Sequence, residues 1–245
     1  MPSLLPLLPF ILLGAVLYTS VGHGGATIYM AILTLAGVPI PPLVTTILVL
    51  NILAAGISFA FFQRAGHLRT DLLLPLVVTS VPAAYLGGLV PLSGRAQAWI
   101  LSAALLAGAV RFIFFHAPKA AAAERGKTLR WWISPLLGAV LGFLAGATGI
   151  GGGIFLSPIL YLLGWATVKQ AGNVSAAFIV LNSAAGLAAK LPRFPIDGSA
   201  LAILVAAVLV GAVAGSYLGA KKLPPRVLQV LLGVVLLVAS VRGVL

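Results

Sequence analysis

Residues 148–158 read TGIGGGIFLSP: four glycines in five positions, Gly149 to Gly153, set between two strongly apolar segments. Glycine leaves the helix more readily than any other residue, and an orphaned backbone group in hydrocarbon is expensive. Residues 21–26, VGHGGA, repeat the device nearer the N-terminus. A break of this kind is tolerated at membrane depth only where protein surrounds it or where it lines a cavity. Its duplication points to a two-part architecture.

The surroundings of the boxes establish that the solvent is lipid. The 245 residues are 61% hydrophobic and only 7% charged, with a mean hydropathy of +1.18; soluble domains carry roughly 25% charged residues. Apolar runs long enough to span a bilayer recur along nearly the whole chain, which predicts an all-α polytopic membrane protein. The net charge of +12 would suggest nucleic acid in a soluble protein. Here the basic residues lie between apolar spans, so they read as topology signals and contacts to anionic lipid head groups, with no nucleic-acid partner. There is no cysteine, hence no disulfide framework, thiolate nucleophile or cysteine metal site. The opening MPSLLPLLPF has no Lys or Arg before its apolar run, which argues for a first span and against a cleaved signal peptide.

Apolar helices are predicted near 4–21, 26–38, 43–62, 72–91 and 96–115, and again near 133–148, 153–165, 170–190, 200–220 and 226–244. The polar stretch from His116 to Arg130 separates the two sets. The expected organisation is an N-terminal repeat over 1–115, a linker over 116–132 and a C-terminal repeat over 133–245. Sequence echoes support it: LLGAVL at 12–17 and 136–141, VGHGGA and TGIGGG, VLNILAAG at 49–56 and VLNSAAG at 180–186, YLGG at 85–88 and YLGA at 217–220. Any one pair is weak in so simple a composition, but all occur in the same order.

Each repeat thus holds three long spans and a glycine-broken pair. The segments after the boxes, 26–38 and 153–165, give roughly 20 Å of helix, too short for a hydrocarbon core of about 30 Å. If each pair enters and leaves on one side, the repeats are inverted; if it makes one net crossing, they are parallel. The inverted arrangement is preferred, because paired short, Gly-interrupted segments mark a transporter's midplane site. It places eleven of the fifteen Lys and Arg on the side of the central loop. That loop is therefore expected in the cytoplasm of a multi-pass cell-membrane protein.

A helix that begins in mid-membrane exposes its first N–H groups at the positive end of its macrodipole. Glycine there lets a ligand approach with no Cβ in the way. The starts after Gly22, His23, Gly24 and Gly25, and after Gly149, Ile150, Gly151, Gly152 and Gly153, are predicted to form facing anion cradles. Tight helix crossing by small residues better explains scattered glycines such as Gly211, Gly215 and Gly219. Asn51 and Asn182 lie mid-span at matching positions, where ligand contact and an interhelical hydrogen bond are both open. Thr45, Thr46, Thr148 and Ser175 are secondary lining candidates. His23 is the one histidine inside a span, able to donate to an anion, carry a proton or simply pack; Ile150 stands at its counterpart.

The only acids are Asp71, Glu124 and Asp197, all at loops or span ends, with Asp71 and Asp197 placed as N-caps. No buried carboxylate is expected to relay protons or bind sodium. Arg111 and Arg242 are expected to snorkel to the interface. No catalytic constellation, cofactor motif or metal cluster is visible, so an enzyme is the weakest functional class.

The stretches SVGHGGATIYMAILTLAGV (20–38), LVLNILAAGISFAFFQRAGHLR (48–69), SVPAAYLGGLVPL (80–92), LGFLAGATGIGGGIFLSPILYLLGW (141–165) and VSAAFIVLNSAAG (174–186) resemble the TauE/SafE family. These sulfite-exporter-like proteins are also called the four-toluene-sulfonate uptake permease family. The first box departs from a full G-x-G-G-G by ending in Ala26. The resemblance implies secondary transport, commonly export, of sulfur-containing oxyanions or organosulfonates such as sulfite, sulfoacetate or thiosulfate. An anion channel is the alternative. The expected partners are a small anionic substrate and the lipid bilayer; homodimerisation stays open.

Overall fold

The computed structural model describes residues 5–35, 40–90, 132–190 and 198–224, together with Leu106 and scattered positions between 226 and 237. Most of the expected spans 96–115 and 226–244, most of the linker, and Asp197, Arg111 and Arg242 lie outside the described residues. What is described is helical: α1 (Leu8–Ser20), α2 (Ala26–Leu35), α3 (Ile40–Arg64), α4 (Thr70–Leu89), α5 (Ile133–Thr148), α6 (Gly153–Leu162), α7 (Val168–Ala189) and α8 (Gly198–Tyr217). A π-helical turn, Leu218–Lys222, extends α8.

Local chemistry explains most boundaries. α3 starts a turn earlier than expected, since Pro41 and Pro42 occupy its first turn, where a missing N–H costs nothing. α7 starts at Val168 because Thr167 and Gln170 form a reciprocal capping box. Asp71 is not the N-cap of α4: Arg69 holds that position and Asp71 lies within the first turn. Its carboxylate accepts two guanidinium N–H bonds from Arg69, at 2.8 and 2.6 Å. The bonded Asp71 carboxylate holds the Arg69 guanidinium above its ordinary pKa. At the far end of α7, the Lys190 ammonium donates to the Gly88 carbonyl at 2.9 Å, closing the C-terminus of α4. Partial burial lowers its pKa.

Among the described residues, four helices are long and apolar enough to cross a membrane: Leu43–Arg64, Thr70–Leu89, Val168–Ala189 and Leu201–Lys222. The α1–α2 and α5–α6 pairs are shorter, as the glycine boxes require. Within the apolar windows of the four long helices, α7 is 67% buried and α8 only 33%, so α3 and α7 form the centre while α4 and α8 face outward. Leu74, Val78, Leu86, Val210 and Val213 stand exposed on the outer helices, apolar surface that suits lipid and not water.

Close contacts give the helix directions. Cβ atoms added to Gly138, Gly142 and Gly146 of α5 would strike the carbonyls of Leu76, Ser80 and Ala84 on α4, in that order, so these helices run parallel. Gly211, Gly215 and Gly219 meet Leu12, Val16 and Ser20 in the same way, so α8 runs parallel to α1. α3 and α7 run antiparallel: Asn51 bonds Ser183, while Phe59 accepts from Asn173. Each apolar core takes a helix from the other half. Ile11, Tyr29, Leu33 and Ile47 pack with Leu204 and Val208 of α8, and Leu141, Leu156, Val174 and Phe178 pack with Leu72 and Leu76 of α4.

Candidate functional site

Both boxes break the chain in the expected manner. Gly22 and Gly25 have φ of 87° and 96°, and Gly149, Gly151 and Gly152 have φ of 71°, 80° and 71°. L side chains rarely adopt this left-handed region. The box at Gly22–Gly25 delivers the chain into α2, and Gly152 is the N-cap of α6.

Asn51 joins the two breaks. Its Oδ1 accepts from the Ala26 N–H at the start of α2, at 3.3 Å. Its Nδ2 donates to the Ile150 carbonyl inside the second box, at 3.3 Å, and to Ser183 Oγ on α7, at 3.0 Å. One amide thereby satisfies groups that both breaks leave unpaired, which low-dielectric surroundings make valuable. Asn182 is placed differently. Its Nδ2 donates to Phe178 of its own helix at 2.8 Å, and its buried Oδ1 has no partner.

His23 starts a second polar chain. Its Nε2 lies 2.9 Å from Ser157 Oγ on α6, and Ser157 Oγ donates to Ser175 Oγ on α7 at 2.7 Å. Ser175 and Ser183 are eight residues apart on α7, about 12 Å of rise. The two chains thus form a polar track along the inner face of α7. Thr27 Oγ1 donates to the Tyr18 hydroxyl at 2.7 Å beside it.

Between these groups lies a small pocket of about 10 Å³, room for about one water molecule. Tyr18, His23, Gly24, Gly25, Asn51 and Ile150 line it, and Ile154 and Ile179 complete its apolar side. Gly22 packs instead on Gly172, and Gly149 on Val44. Gly151 backs onto the Asn51 amide and Ser183, Gly152 onto Ala145 and Phe178, and Gly153 onto Ile179. Of the secondary candidates, Ser175 ends the His23 chain and Thr148 bonds its own Leu144 carbonyl. Thr45 and Thr46 are buried in α3, outside the cavity lining. Sequence reasoning missed Tyr18, Thr27, Ser157 and Ser183. Each had a signal in its position: within a turn of a glycine box, or next to Asn182.

No Asp, Glu, Lys or Arg is buried among the described residues, and they hold no cluster of three or more His, Asp or Glu fit for a metal. The polar groups the pocket offers are therefore neutral side chains and backbone groups at the start of α2. Broken helices meeting at a small, partly polar pocket in an apolar bundle define a multi-pass helical membrane protein.

Comparison with known proteins agrees. A profile of the family described as Sulfite exporter TauE/SafE matches residues 7–243. The "Probable membrane transporter protein y4hK" of Sinorhizobium fredii (strain NBRC 101917 / NGR234) is 30% identical over 229 residues, covering 93% of each chain. The "Probable membrane transporter protein YjnA" of Bacillus subtilis (strain 168) is 26% identical over 239 residues, covering 90% of this chain and 92% of its own. No solved structure matches significantly. The chain belongs to the TauE/SafE sulfite exporter family. Family and relatives together indicate a membrane transporter, a class distinct from enzymes.

Proposed function

We propose that the chain is a secondary transporter that exports small sulfur-containing oxyanions or organosulfonates, sulfite, sulfoacetate and thiosulfate among them. The substrate sits between the glycine breaks, near the bilayer midplane. The observation that carries this reading is the buried cavity at His23, Gly24, Gly25 and Asn51, lined by backbone amides and neutral polar groups with no fixed charge beside it. Such a site holds an anion weakly enough to release it. An anion channel is the alternative, and it would need a continuous path through the bundle.

The two repeats, 1–115 and 133–245, are read as inverted. What supports this is that α3 and its counterpart α7 run antiparallel, while α1 lies parallel to α8 and α4 to α5. Rocking one repeat against the other would then expose the cavity to each side in turn.

Purified protein in liposomes tests the reading. Saturable flux of sulfite, thiosulfate or sulfoacetate is expected, with chloride and acetate excluded and no unitary currents in planar bilayers. Single-channel conductance would replace the carrier with the channel, and indifference to every sulfur anion would remove the substrate class.

The excess of Lys and Arg on its side argues for a cytoplasmic 116–132 linker in either arrangement of the repeats. The absence of native cysteine makes this simple to check. A membrane-impermeant maleimide should label Glu124→Cys in inside-out vesicles and not in intact cells. Labelling of intact cells would reverse the orientation.

A further inference from the structure

The hydrogen bonds around His23 distinguish its two ring nitrogens. Ser157 Oγ directs its hydrogen into α7, toward Ser175 Oγ at 2.7 Å and the Ala171 carbonyl at 3.5 Å. With its own hydrogen so directed, it can accept one from His23 Nε2, 2.9 Å away. In that tautomer the single proton of the neutral ring is on Nε2 and Nδ1 is a lone-pair acceptor. Nδ1 is buried and has no partner, on a residue that is 1% exposed and lines the cavity. A buried acceptor of this kind needs a donor.

The neighbours leave the acceptor role in place. Tyr18 of α1, its ring centroid 6.5 Å from that of His23, and Tyr29 of α2, packed on Gly25, are the titratable groups nearby. α3 presents Asn51, α6 presents Ser157 and α7 presents Ser175. No carboxylate is buried among the described residues to hold a second proton on the ring.

An anion site that contains an acceptor discriminates by protonation. A bare oxyanion would set its oxygens against the Nδ1 lone pair. An oxyanion that still carries a hydroxyl can give its charged oxygens to the N–H groups at the helix start and its O–H to Nδ1. A site built to bond a substrate hydroxyl rejects analogues that lack it, because its buried polar group is then left unpaired.

We propose that the cavity selects a monoprotonated oxyanion, an acid anion that donates its own O–H to His23 Nδ1, with Ser157 holding the ring in the accepting tautomer. The inference rests on the anion-transporter reading above and deepens it. It assigns His23 as the residue that decides specificity, and within the substrates proposed above it favours hydrogensulfite over thiosulfate and the sulfonates, which carry no O–H near neutral pH.

The test compares hydrogensulfite with methanesulfonate, a monoanion of similar shape that has no O–H. Binding of each to the purified full chain is measured by calorimetry below and above the pH at which hydrogensulfite becomes sulfite. Hydrogensulfite should bind at least about tenfold more tightly at the lower pH. Its affinity should fall as it loses its proton, while that of methanesulfonate stays constant. His23→Ala should reduce hydrogensulfite to the level of methanesulfonate. Ser157→Ala, which frees Nε2 and lets the proton move to Nδ1, should erase the preference while anions still bind; thermal melting confirms that both variants are folded.

Equal affinity for the two probes would overturn the proposal. So would joint tightening on acidification, which would make the ring a protonated donor, or a preference that survives in His23→Ala. Binding of neither probe, nor of thiosulfate or sulfoacetate, would overturn the transporter site itself and the inference with it.

Discussion

Asn51→Ala will abolish transport and destabilise the fold by about 2–4 kcal/mol, while Asn182→Ala will change stability by no more than about 1 kcal/mol. Asn51 satisfies the Ala26 N–H, the Ile150 carbonyl and Ser183 Oγ at once. Alanine would strand all three groups in a buried site, each worth a substantial desolvation penalty. Asn182 makes one bond, to its own helix, and already leaves an oxygen unpaired. Thermal melting in detergent together with liposome flux separates the two variants. Equal losses at both positions would mean that the amide bridge between the glycine breaks does not form.

Gly146→Leu should be as damaging to the fold, with a loss on the order of 3 kcal/mol or more. α4 and α5 touch through their backbones. A Cβ on Gly146 would land on the Ala84 carbonyl, and the same holds one and two turns away, at Gly142 and Gly138. With lipid on the outside, such close packing replaces the hydrophobic effect as the force that joins helices. Gly56→Ala is the matched control. Nothing lies within 4 Å of a Cβ there, so the change should be neutral, or stabilising by up to about 1 kcal/mol through helix propensity. If Gly146→Leu melts like the native chain, α4 and α5 are not in backbone contact.

The sequence by itself determined the solvent, the helices and the places where they break. Those are local matters: the length of an apolar run, the presence of Pro or a capping pair, and four glycines where a helix would otherwise continue. It also marked His23, Gly24, Gly25 and Asn51, all of which line the cavity. Internal repetition made Asn51 and Asn182 look equivalent, and made the two boxes look like equal cradles. Only the tertiary structure distinguished them. Which amide reaches across, and which turns back onto its own helix, depends on whether an orphaned carbonyl or N–H lies within 3.5 Å of it, and that is decided between helices far apart in sequence. Ser157 and Ser183 gain their roles in the same way, 134 and 132 residues from the His23 and Asn51 they bond. A hydroxyl in an apolar helix has many possible partners along the chain, and packing alone selects one.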